Sequence, residues 1–217
     1  PVPSIYPPSY GASMSPRVLL FCGLAGLPLS ACSVTSGERA SVAPAEQPVP
    51  AFDATTFVPA GFDLVRVARG DLNGDGREDA VVVTMPDDSD PQARFARRTL
   101  SIVVTTSNGA FALTAQNSVL AGCQVCGGSM GDGLAEVTIT DGTLVVVNEG
   151  GIRARWSDVY TFRYNAVIGD ALLVKYSSAV SSQVDQLSDQ IELAVADFGV
   201  KRFSALSQDD LPRATIP

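Results

Sequence analysis

Nine residues, Asp71-Leu72-Asn73-Gly74-Asp75-Gly76-Arg77-Glu78-Asp79, run without a break into Ala80-Val81-Val82-Val83. Oxygen-bearing side chains fall at loop positions 1, 3, 5 and 9, with Gly76 at position 6. Calcium takes six to eight oxygen ligands, and alternate residues of a tightly wound loop can point inward at one centre. Asp71, Asn73, Asp75 and Asp79 are the candidate side-chain ligands, and Arg77 offers its backbone carbonyl. Gly76 allows the sharp turn. An EF-hand would place Glu at position 12, but Val82 stands there inside an apolar run. The loop therefore leads into a buried strand and not a helix. Asp, Asn and Gly also dominate ordinary surface turns, yet three carboxylates and an amide at alternate positions favour a cation.

The rest of the chain reads as strand. Phe62–Ala68 and Asp79–Met85 flank the loop. Thr99–Thr105 and Ala110–Ala115 are separated by Asn108-Gly109, a strong hairpin signal. Leu134–Thr140 turns at Asp141-Gly142 into Thr143–Asn148. Arg153–Trp156, Tyr160–Tyr164, Ala171–Tyr176 and Gln190–Val195 continue the meander. Only 184–193 carries a weak helical period. The expectation is one all-β, antiparallel domain over 51–217, propeller-like or sandwich-like.

With its flanks, the strand–loop–strand pattern resembles the FG-GAP and VCBS repeats of integrin-like β-propeller proteins. A propeller needs about four to eight blades, and the loop occurs once here.

Upstream, Met14 opens what reads as an export leader over 14–31. Arg17 is its positive start, and Val18 to Leu27 is an apolar stretch too short to span a bilayer. Leu29-Ser30-Ala31-Cys32 matches a bacterial lipobox, which makes Cys32 the expected lipidation site. Ser33, where Asp would signal retention at the inner membrane, points to the outer membrane facing the periplasm. Residues 1–13 read as an upstream extension. Residues 32–50, rich in Ser, Ala, Pro and Glu, read as a tether that buries too little surface to fold.

Charge and missing residue types exclude several functions. The chain has 23 Asp and Glu against 15 Lys and Arg. Loss of Arg17 with the leader leaves the mature protein more negative than the −8 of the whole chain by a single charge. Such a surface repels nucleic acid and attracts basic partners. There is no histidine, so no Ser-His-Asp, Cys-His or His-metal mechanism is available. Paired carboxylates could still hydrolyse glycosides, but the acids at 71–79 are assigned to calcium. Asp87, Asp88 and Asp90 lie in a Pro-flanked turn. Cys123-Gln124-Val125-Cys126 lacks the further thiols or imidazoles zinc needs. It is followed by Gly-Gly rather than the helix of a redox pair. A local disulfide, Cys123–Cys126, suits an oxidising compartment. The lone Trp156 is expected in the core beside Phe162 and Tyr164, with a sugar-stacking platform as the minority reading.

Together the lipobox, the GDLNGDG loop, the CxxCGG turn, the Gly-Gly…Arg155-Trp156 segment and Phe162-Arg163-Tyr164 are similar to small VCBS-like periplasmic lipoproteins of Gram-negative bacteria. That group includes immunity proteins of Xanthomonas-type bacteria-killing secretion systems, which block lysozyme-like peptidoglycan hydrolases. The resemblance implies a non-enzymatic protein that binds Ca2+ and a hydrolase partner and is held to the membrane by its lipid. The alternative is a carbohydrate- or peptidoglycan-binding module. The expected contact surfaces are the Gly127–Gly133 turn and the Asp87–Gln92 loop.

Overall fold

The computed structural model describes residues 51–217; the leader, Cys32 and the tether lie outside them. Nine strands follow one another in a meander: β1 (Phe62–Gly70), β2 (Asp79–Pro86), β3 (Arg98–Thr105), β4 (Phe111–Ala121), β5 (Leu134–Thr140), β6 (Thr143–Gly151), β7 (Arg155–Asn165), β8 (Asp170–Ser182) and β9 (Leu187–Ala194). The first four form one antiparallel sheet in sequence order, and the last five form a second. The domain is all-β, as the sequence predicts, with two sheets and no closed barrel.

Patterning explains the layers. Val81, Val82 and Val83 in β2 are all fully buried, as a continuous apolar run requires when both faces of a strand are covered. Val81 and Val83 join the main core between the sheets. Val82 turns the other way and packs with Val103, Ala54, Phe52, Phe57 and Phe111. A 3-10 turn at Ala54–Phe57 brings some of that cover, and Asp53 caps it by accepting from the Thr55 amide at 3.0 Å. The main core is closed by Leu100, Ile102 and Leu120 from the first sheet and by Leu144, Val146, Tyr160, Phe162, Leu173 and Tyr176 from the second.

The sheets approach along β1 and β5 without pairing. Gly70 lies so close to Ile139 that a Cβ there would come within 2.8 Å of it. Arg66 donates to the Ala135 carbonyl at 2.9 Å. A 3-10 turn at Phe203–Ala205 fills the opening between β4 and β8. Phe203 packs edge-on against Phe162 at 5.4 Å. Asn117 holds the plug by donating to the carbonyls of Phe203 and Leu206 at 2.6 and 2.8 Å.

Three elements differ from expectation. The segments expected at 153–156 and 160–164 are one strand, β7, because Ser157 and Asp158 pair with β6 on one side and β8 on the other. The weak helical period at 184–193 is the β8–β9 hairpin and edge strand β9, whose alternate residues face solvent. β4 runs to Ala121, six residues beyond the expected end. Among the described residues no helix is long and apolar enough to cross a membrane.

Candidate metal centre and partner surfaces

The acidic loop joins β1 to β2, and its positions have distinct roles. Leu72, at position 2, is 2% exposed and anchors the loop in the core. The Asp71 carboxylate sits inside the turn: Oδ1 accepts from the amides of Gly74 (2.7 Å) and Asp75 (3.1 Å), and Oδ2 from that of Gly76 (2.8 Å). Gly76 has φ of +80°, where a side chain would be strained. Asn73 Oδ1 accepts from the Asp75 amide at 2.9 Å. Asp75 Oδ1 accepts from the Arg77 amide at 2.9 Å, while Oδ2 meets the Arg77 guanidinium at 2.8 Å. Asp79 is 1% exposed. Its Oδ2 accepts from the amides of Leu72 (2.9 Å) and Asn73 (3.2 Å), and its Oδ1 from Thr105 (2.8 Å).

Electrostatics separate the two ends of the loop. Burial pushes the Asp79 carboxyl above the usual carboxylate range, against the pull of three amides. Asp75 moves the other way. Burial opposes the change, but the Arg77 amide, the Asn73 side chain and the Arg77 guanidinium hold it below that range.

Among the described residues no three Asp, Glu or Cys side chains converge on one point. The carboxylates point instead at backbone amides. A carboxylate or amide oxygen has two lone pairs, and the hydrogen bonds leave one unused on each candidate side chain. These are Asp71 Oδ2, Asn73 Oδ1, Asp75 Oδ1 and Asp79 Oδ1. Four such oxygens and the Arg77 carbonyl are a donor set of the kind a hard cation takes. A cation would compete with Arg77 for Asp75.

Cys123 and Cys126 form a disulfide with Cα atoms 5.0 Å apart. The glycines around it permit close backbone approach. A Cβ on Gly133 would meet Cys126 Cβ at 2.7 Å, and one on Gly150 would meet Gly127 Cα at the same distance. Gly128 bridges Gly151 across the gap. A bidentate pair secures the turn from below: Arg98, 2% exposed, donates to both Asp132 oxygens at 2.5 and 2.7 Å and to the Gly122 carbonyl at 3.0 Å. The Asp87–Gln92 loop is tied at its start, where the Asp87 amide donates to the Gly61 carbonyl at 2.9 Å, and beyond that by local contacts, including Asp87 to Ser89 and Asp90 to the Gln92 amide.

Trp156 lies outside the buried core and not beside Phe162 and Tyr164. It is half-buried at the far end of β7 and lines a cleft of about 550 Å³ with Met130, Glu149, Arg155, Asp189 and Gln190. Two residues along, Asp158 is 2% exposed and accepts from the Tyr176 hydroxyl at 3.1 Å. Among the described residues the buried Tyr160 hydroxyl has no hydrogen-bond partner. Burial, with Asp158 and Tyr176 close by, raises its pKa; burial likewise pushes Tyr176 up to about 12. Sequence reading missed this group because only the C-terminal segment, bringing Arg213 to Asp158 at 2.9 Å, completes it. Compared with family models, curated proteins and solved structures, the chain has no match.

Proposed function

We propose that the chain is a non-enzymatic, calcium-binding lipoprotein of the periplasm whose domain binds a protein, the favoured partner being a lysozyme-like peptidoglycan hydrolase. The observation that carries the reading is the acceptor pattern of the 71–79 loop, where four side-chain oxygens each accept a single amide and keep one lone pair. A bound cation would offset the repulsion among these carboxylates and brace the start of β2. The partner class follows from charge: an acidic chain speeds encounter with a basic hydrolase through complementary fields. The lipid on Cys32 would keep the domain where such an enzyme acts.

The test is loss of turbidity of peptidoglycan under a panel of lysozyme-like hydrolases, with and without the protein. Stoichiometric inhibition of at least one supports the reading. Absence of inhibition across the panel, with measurable binding to peptidoglycan fragments, favours a saccharide-binding module instead. One observation speaks for that second reading: Trp156 edges a cleft lined by Glu149, Arg155 and Gln190, and aromatic faces beside polar groups suit sugars.

A further inference from the structure

Asp158 is a carboxylate buried on the inner face of β7, with one oxygen on the Tyr176 hydroxyl. Among the described residues its other oxygen has no hydrogen bond of good geometry and meets one cation, Arg213, at 2.9 Å. Arg213 is different in kind. Its side chain is 43% exposed, and it lies beyond the last helical turn, Gln208–Asp210. The guanidinium sits 5.9 Å from the Trp156 ring centroid and donates to Gln208 Oε1 at 3.0 Å. The next two residues rest on the sheet through single contacts, Ala214 N to Ser178 Oγ (3.1 Å) and Thr215 N to Asp189 Oδ2 (2.9 Å).

The result is a pocket of about 230 Å³ between Trp156, Asp158, Ser178, Val180 and Arg213. It shares Trp156 and Val180 with the larger cleft, so a side chain entering the cleft reaches Asp158 once Arg213 leaves. A buried carboxylate, an indole face and a serine hydroxyl suit a guanidinium, which pairs with carboxylates and stacks on aromatic rings. Left without a cation, Asp158 would be an uncompensated buried charge. The tail cation can therefore be exchanged for another but not merely lost.

We propose that the Asp158–Trp156 pocket is a receptor for an arginine side chain of a protein partner, filled in the free protein by its own Arg213. The identity of the partner rests on the proposed function; the pocket does not. A ligand that must displace an internal competitor binds more weakly by the fraction of time the pocket is open.

The probe is agmatine, a free alkylguanidinium, read through fluorescence of the single Trp156. Arg213→Ala should respond at about tenfold or more lower agmatine than the wild-type protein, because the competitor is gone. The double variant with Asp158→Asn should not respond. In the wild type, agmatine should speed hydrogen exchange at the amides of Ala214 and Thr215, a readout that needs no variant to fold. Silence of Trp156 in a natively folded Arg213→Ala protein, or unchanged wild-type exchange at saturating agmatine, overturns the proposal. With an inhibited hydrolase in hand, Arg213→Ala should bind it about tenfold more tightly. Agmatine binding without any hydrolase binding would sustain the pocket and overturn only the choice of partner.

Discussion

Asp75 and Asp79 have the same side chain and opposite environments, and their substitutions should behave accordingly. Asp79 satisfies three backbone amides from a fully buried position. Asp79→Ala orphans them, and at about 1–3 kcal/mol for each unsatisfied buried group the variant should melt far below the wild type with or without calcium. Asp75 is mostly tied to its neighbour Arg77. Asp75→Ala should leave the chelator-treated protein nearly as stable as the wild type and abolish any rise in Tm on adding calcium. An equal loss in both variants under chelator would contradict the division of roles. The tyrosines give a test in alkali. Tyr176 keeps its proton up to about 12, whereas the unfolded chain loses it near 10. Its contribution is complete below about pH 10 and is lost as pH climbs toward 12, at up to about 1.4 kcal/mol per pH unit. Tyr160, also raised, adds to the slope. Because the Tyr160 hydroxyl has no partner, Tyr160→Phe should be neutral or stabilising at pH 7 and should flatten the alkaline decline, as followed by denaturant melts across pH.

At the level of elements, the two Gly-containing hairpins were legible because their turns need left-handed backbone. Asp141 and Gly142 have φ of 49° and 70°, the mirror-image turn whose twist matches its strands. The start of β2 was legible from its apolar run. The continuity of β7 was not: Ser157-Asp158 has turn-forming composition, and partners on both sides hold it extended. The glycines of the disulfide turn could be flagged for close approach, but not the backbones they approach, since Gly127 meets Gly150 across more than twenty residues. In the acidic loop, the sequence showed which oxygen-bearing residues recur and at what spacing. It did not reveal that Asp79 also caps the end of β3 through Thr105. The Arg98–Asp132 pair went unread for the same reason. Asp132→Ala leaves the buried Arg98 guanidinium without its partner, a loss of about 3 kcal/mol where a buried pair is broken. Because Asp132 is itself half-exposed, the drop in a urea melt should fall somewhat short of that. The disulfide closes only a tetrapeptide, so its reduction should cost about 2 kcal/mol and leave far-ultraviolet dichroism unchanged.

For the whole molecule, the proposed calcium site gives a test of its own. A cation bound only by the folded state at a hundredfold excess over Kd adds about 2.7 kcal/mol, or roughly 5–10 °C in Tm for a domain of this size. Calorimetry with calcium and with chelator checks this, and superimposable traces would remove calcium from the account. The two sheets are meanders in strict sequence order, so each strand can pair with the one made just before it. The plug at Phe203–Leu206 is the exception. It packs on Phe162 and is held by Asn117, 86 residues earlier in the chain. A chain that emerges from its N-terminus can therefore form both sheets while the wedge between β4 and β8 is still missing. The topology allows an order of assembly in which the ladders form first and closure follows. Every strand would be in register while the apolar faces between them stayed open to solvent, in the interval when an unfinished domain is most prone to stick to others. The arrival of Phe203 to Leu206 decides when that interval ends.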